Sequence, residues 1–212
     1  MKQVCAAPNL SHYLLEKTVA AWRINMTLYE QLKNYKPYNE QEERDKEAML
    51  WFMKHSENVF TRDNTIAHFT ASSWLVNKDR TKVVMVYHNL YDSWAWTGGH
   101  ADGEEDLLHV AVKEAKEETG LKNVTPVNSD IFSVEMLTVD GHIKRDSYVS
   151  SHLHINVTFL LEANEKEDLS VKPDENSGVR WFTLEDAVTA CSEPWMKQIY
   201  QKLNEKLKKY SD

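Results

Sequence analysis

Apolar residues in the first quarter of the chain recur at helical spacing, and the rest alternates in short runs broken by turn residues. Leu14, Leu15, Val19, Trp22, Met26 and Tyr29 follow Ser11 at three- and four-residue intervals, so Ser11 is read as the cap of a helix. Pro37 ends it, because proline has no amide hydrogen to continue the ladder. Asn39 with Glu42 resembles a capping box and opens a second helix through His55, with Ala48, Met49, Phe52 and Met53 as its stripe. From about residue 65 the period shortens. Ile66–Val76 and Lys82–Tyr87 are predicted strands, separated by the polar turn from Asn77 to Arg80. An aromatic loop from Tyr91 to Trp96 leads into Gly98 and Gly99. The spacing then predicts a helix from Asp102 to Thr119, capped by Asp102 with Glu105 at the capping-box position and closed by Gly120. Ile131–Val139 and Tyr148–Leu161 read as strands joined across Asp140 and Gly141, and Val179–Phe182 as a short strand. Thr183 and Asp186 mark one more helix start, and Trp195–Tyr210 forms an amphipathic helix. Together these elements predict an α/β chain: a mixed sheet covered by helices over residues 61–212, preceded by a helical extension over residues 1–60.

Charge sharpens the division. Residues 1–60 carry 8 basic and 8 acidic side chains, so the net charge of −8 belongs to the remainder. That sign argues against a nucleic-acid polymer as partner, and an acidic domain that handles phosphates needs bound cations. The extension holds no clustered chemistry. Its apolar stripes are expected to pack on the main domain or on a second copy, which would make a homodimer. No apolar run is long enough to cross a membrane, and no signal peptide is read. Cys5 and Cys191 form neither a disulfide framework nor a CxxC zinc pair, which suits a reducing cytoplasm.

The chemistry concentrates after Gly98. Glu114, Glu117 and Glu118 stand at i, i+3 and i+4, on one helical face and about 5–6 Å apart at Cβ. Three carboxylates so close repel one another. Hard oxygen-seeking cations, Mg²⁺ or Mn²⁺, would supply the compensating charge, polarise a phosphate and activate water. On composition alone, the same cluster also reads as a solvated helix face balanced by Lys113 and Lys116.

The spacing favours the chemical reading. Gly99 to Leu121 reads G-x5-E-x7-K-E-A-K-E-E-x-G-L, which closely resembles the Nudix box, G-x5-E-x7-R-E-U-x-E-E-x-G-U with U a bulky aliphatic. The resemblance implies a Nudix-like α/β/α sandwich from roughly Thr65 onward; it does not reach residues 1–60. It implies a metal-dependent hydrolase of a diphosphate linkage, acting on a nucleoside diphosphate joined to a second group or on a similar pyrophosphate. Glu114, Glu117 and Glu118 would then be metal ligands with the Gly98 carbonyl, and Glu105 would act through water. The general base would be a box glutamate such as Glu114 or Glu117, or Glu175 from the loop before the last strand. Three positions depart from the pattern: Lys113 replaces Arg, Ala115 is small, and Thr97 stands where Pro is common. Trp94 and Trp96 are candidates to stack a substrate ring, and His152 and His154, on the polar face of their strand, to contact substrate. Two alternatives stay open: a nucleotide-sensing module without catalysis, and an isoprenoid diphosphate isomerase, which would need a cysteine near the box.

Overall fold

A computed structural model describes residues 26–144 and 146–210. The first expected helix begins at Ser11 and lies mostly outside the described residues. The portion within them starts anew. The Thr27 hydroxyl accepts the Glu30 amide, and the Glu30 carboxylate accepts the Thr27 amide, so a reciprocal box opens α1 (Leu28–Asn34). Helix α2 (Glu40–His55) has the expected Asn39 cap, which accepts the Glu42 amide at 3.0 Å. The Glu42 carboxylate does not return to Asn39, however; it accepts the Tyr38 amide at 2.7 Å and the Tyr35 hydroxyl at 2.6 Å.

Nine strands follow among the described residues: β1 (Ala67–Asn77), β2 (Lys82–His88), β3 (Ser93–Ala95), β4 (Thr97–His100), β5 (Val124–Val139), β6 (His142–Lys144), β7 (Ser147–Val149), β8 (His152–Ala163) and β9 (Asn176–Thr183). The aromatic loop therefore contains a short strand, β3, which pairs with β2. The strand expected over Tyr148–Leu161 is broken at Ser150 and Ser151: β6 and β7 form a small ribbon, and β8 pairs antiparallel with β5. The main sheet runs β3-β2-β1-β8-β5, with β4 on β1 and β9 on β2. Only β1 and β8 pair in parallel, over eleven consecutive registers from Ala67–Leu153 to Asn77–Ala163. Strand β1 is buried along its length, as a central strand covered on both faces must be.

Helix α3 (Leu107–Thr119) covers one face. Leu107, Val110, Ala111 and Ala115 share a core with Phe69, Ala71, Leu75, Ile155, Val157 and Phe159. Helices α4 (Leu184–Ala190) and α5 (Pro194–Leu207) cover the other, where Met196, Tyr200, Leu203 and Leu207 meet Trp74, Val76, Met85 and Leu160. The result is the expected α/β/α sandwich with a mixed sheet. Among the described residues no helix is long and apolar enough to cross a membrane.

Helix α3 starts later than the spacing predicts. Asp106, not Asp102, is its cap and accepts the His109 amide at 3.1 Å. Asp102 sits in a left-handed turn at φ 47° and binds Arg62 through two hydrogen bonds of 2.7 and 2.6 Å. Gly120 closes the helix at φ 74°, a conformation that costs a side-chain-bearing residue about 1 kcal/mol or more.

Helices α1 and α2 share apolar core with the main sheet through Leu28, Leu32 and Met49. A buried charged cluster adds to this seam. Glu42, fully buried, pairs with Lys206 at 2.6 Å and Lys202 at 3.1 Å, and accepts the Ser133 hydroxyl at 2.8 Å. Lys202 also pairs with buried Glu135 at 2.9 Å, and Glu135 accepts Asn156 and Thr158. Burial alone would raise the Glu42 pKa, but Lys206 and Lys202 outweigh it and hold the carboxyl down at about 2.

Candidate active site

The carboxylates of α3 meet the strand β4 glycines because α3 lies directly across β4 and β1. Glu118 is 3% exposed and is held at both oxygens: the Gly98 amide donates to Oε2 at 2.9 Å and the Asn176 side chain donates to Oε1 at 3.2 Å. Burial raises the Glu118 pKa to about 8; those two donors oppose the shift, and Glu114 and Glu175 reinforce it. Glu114 lies against Gly99 so closely that a Cβ there would stand 2.6 Å from its Cδ. Any side chain at 99 would therefore push Glu114 off its seat, which gives the second glycine of the pair a steric reason.

Two lysines partly offset the negative charge. Lys113 Nζ lies 3.2 Å from Glu114 Oε1 and 3.9 Å from Glu117 Oε1. Lys172 Nζ lies 2.9 Å from Glu175 Oε2 and 3.5 Å from Glu117 Oε2. Lys172 thus ties the loop residue Glu175 to the helix carboxylates. Four carboxylates against two ammonium groups leave a negative, oxygen-rich face, and the buried Glu118 has no cation within ion-pair distance among the described residues. That donor set fits a hard divalent ion such as Mg²⁺ or Mn²⁺ and not a soft one.

The remaining expected site residues are placed as follows. Glu105 is exposed and precedes the helix by two residues, at its open end. Trp94 and Trp96 are not at the carboxylate face. Trp94 packs edge-on to Tyr87 and Phe182 with Arg180 over its ring, and Trp96 packs on Tyr200, so both fill the core beneath α4 and α5. Expected to stack a substrate ring, the two half-buried tryptophans instead pack part of their apolar area against the opposite layer. Cys191, the C-cap of α4, is buried in the same layer against Ser93, so it brings no thiol to the box; Cys5 lies outside the described residues. His152 and His154 lie on the face of β8 that turns away from α3, together with His68 and His100. Burial, followed by the neighbouring imidazoles, lowers the His154 pKa to about 2.

Sequence reasoning missed Lys172, Asn176, Arg62 and the His68–His100 pair. Asn176 follows Glu175 directly, so the loop could have been read as supplying two site residues instead of one. Nothing in the sequence marked Arg62, whose partner Asp102 is remote, or the second contact of Lys172, which beyond its near neighbour Glu175 reaches the remote Glu117.

Lys113 gives a direct test of the departure from the expected arginine. Lys113→Ala is expected to lower turnover about tenfold, a loss of roughly 1.4 kcal/mol, by releasing Glu114 and Glu117 from their shared cation. Lys113→Arg should keep or raise it. Wild-type steady-state kinetics in the alanine variant would remove Lys113 from the site.

The NUDIX domain pattern matches residues 67–203 of the chain. Solved structures are similar to the chain. A MutT protein from Methanosarcina mazei is 15% identical, covers 67% of this chain and 96% of its own, and superposes with a TM-score of 0.51. A NUDIX-family hydrolase from Clostridium perfringens is 21% identical over 66% of this chain and 97% of its own, with a TM-score of 0.47. A Caenorhabditis elegans Ap4A hydrolase is 18% identical over 67% and 96%, with a TM-score of 0.46.

Proposed function

Because the chain belongs to the NUDIX family, hydrolases of pyrophosphate linkages, we propose that its carboxylate face binds Mg²⁺ or Mn²⁺ and hydrolyses a diphosphate linkage. The substrate class is a nucleoside diphosphate joined to a second group, or a similar organic pyrophosphate such as a sugar diphosphate. The observation that supports this is the convergence of Glu114 and Glu118 on the Gly98–Gly99 backbone, with Glu117 and Glu175 drawn together by Lys172. Glu114, Glu117, Glu118 and the Gly98 carbonyl form the proposed ligand set, and exposed Glu105 reaches it through water. A cation bound there would neutralise charge developing on the phosphoryl oxygens and ease deprotonation of water.

The protein's own groups divide the work by their surroundings. Glu118 is immobilised by Gly98 and Asn176, so its role is to hold position. Glu114 is confined between Gly99 and Lys113. Glu117 and Glu175 are 43% and 45% exposed at the side chain and have room to meet water. Glu175 is the proposed general base, with Glu114 and Glu117 as the box alternatives, and Lys172 sets its place. With two cysteines and no disulfide framework, a reducing cytoplasm suits the chain.

The test is a panel of about twenty nucleotide and sugar diphosphates with Mg²⁺ or Mn²⁺, read by product phosphates and by incorporation of labelled oxygen from water. Cleavage of at least one member, with label on a phosphorus product and none after chelation, is expected. Binding of nucleotides without cleavage of any member would favour the sensing-module reading.

A further inference from the structure

On the sheet face opposite α3, three strands bring four imidazoles to one point. His68 comes from β1, His100 from the end of β4, and His152 and His154 from β8. The pairings place them: His68 is in register with His154 across the parallel pair, and Thr70, two residues on, is in register with His100. One ring nitrogen from each lies within 4.8 Å of the others. The rings pack face and edge, with centroids of His68 at 5.1, 5.0 and 5.3 Å from those of His100, His152 and His154.

The hydrogen bonds around the cluster leave nitrogen lone pairs pointing inward. His68 Nδ1 donates to the Asn64 carbonyl at 3.1 Å, and its buried Nε2 has no hydrogen-bond partner among the described residues. His152 Nδ1 donates to the Ser150 carbonyl at 2.8 Å, which leaves its Nε2 as an acceptor facing His154 Nε2 at 3.3 Å. A backbone carbonyl on the outer ring nitrogen is the arrangement that fixes a metal-ligating histidine. Four ligands at about 2.0–2.1 Å in a tetrahedron stand roughly 3.4 Å apart, which matches the 3.3 Å of the His152–His154 pair and lies inside the 4.8 Å that spans all four. The neighbouring cation, Arg62, is already neutralised by its two bonds to Asp102. Buried, paired imidazoles with an orphaned nitrogen otherwise cost stability, and an ion would remove that cost.

We propose that His68, His100, His152 and His154 bind one divalent transition-metal ion of the zinc type in a closed tetrahedral site, separate from the carboxylate face. All-imidazole ligation suits Zn²⁺ and its neighbours and disfavours Mg²⁺, so the two sites select different ions. Four protein ligands leave no open position, so the ion is structural. It pins β1, β4 and β8 together two residues from Gly98.

The experiment uses the full chain, stripped by chelator and reloaded with Zn²⁺ or Co²⁺. We expect one tightly held zinc per chain, a rise of several degrees in melting temperature on loading, and the intense visible bands of four-coordinate cobalt. X-ray absorption of the zinc-loaded protein should show an imidazole-only shell at about 2.0–2.1 Å. With the buried His68 left in place, His100→Gln with His152→Gln should lose the ion and the cobalt bands, with the fold checked by circular dichroism. Glu117→Gln with Glu118→Gln should retain both. Absence of stoichiometric zinc, a carboxylate-containing shell, six-coordinate cobalt alone, or cobalt bands unchanged in the histidine variant would each overturn the site. The absorption measurement needs no variant, so a misfolded variant does not rescue the idea.

Discussion

Glu117→Gln and Glu118→Gln are each expected to lower kcat by about a thousandfold or more, because removing one carboxylate from a metal-binding face forfeits several kcal/mol of charge stabilisation. The fold should survive. The unfolded-state pKa of Glu118 is near 4.5 and the folded value is about 8, so its ionisation opposes folding, and the penalty grows as pH rises from about 4.5 to about 8. Glu118→Gln removes that penalty, and an amide can still accept from the Gly98 amide. In the absence of metal, the variant should therefore melt no lower than wild type at pH 7.5. Steady-state kinetics and thermal melts decide this together. Near-normal turnover in either variant would take the carboxylate face out of the chemistry, and a large drop in melting temperature would mean that activity was lost through unfolding.

The second large effect is on stability. Glu42→Ala leaves Lys202 and Lys206 buried with only Glu135 as counter-charge, and breaking a buried pair in this way costs about 3–5 kcal/mol. That is a large share of a typical domain's stability and lowers Tm by about 10 °C for a chain of this size. Replacing Glu42 and Lys206 together by Met should recover much of the loss, since an apolar pair of like volume needs no partner. The folded-state pKa of Glu42 is depressed, so its contribution is present above about 4.5 and disappears as pH falls toward about 2. Denaturant melts at pH 7 and pH 3 check both statements. Equal stability of wild type and Glu42→Ala at pH 7 would mean that the cluster contributes nothing net.

The carboxylate face was legible because its geometry is local: three residues within one and a half turns of a helix declare their common side through spacing alone. Its start was not, since Asp102 and Asp106 are equally good caps by type, and only the Arg62 pair and the left-handed turn at Asp102 decide between them. Glu175 was readable as a loop carboxylate, but Lys172, which seats it, gave no signal because the partner it shares, Glu117, lies 55 residues away in the chain. The tryptophans were open to two readings for a general reason. A large aromatic next to a glycine pair is equally suited to a ligand or to a core, and residues on either side of one strand face opposite layers. Alternation also placed His152 and His154 correctly on one face without saying what that face meets. That depended on a parallel partner, β1, far earlier in the chain.

The seam at Glu42 also bears on the order in which the chain can be made. During synthesis α2 and β5 emerge with two carboxylates destined for the interior, and the ammonium groups that neutralise them arrive only with α5. Until residue 206 is out of the ribosome, burying Glu42 and Glu135 is electrostatically unfavourable, so the N-terminal helices have reason to remain undocked. A nascent chain that stops short of Lys202 would expose the apolar stripes of α1 and α2 and offer itself to proteolysis. Among the described residues, α5 thus brings the charge that α2 and β5 need before they can dock.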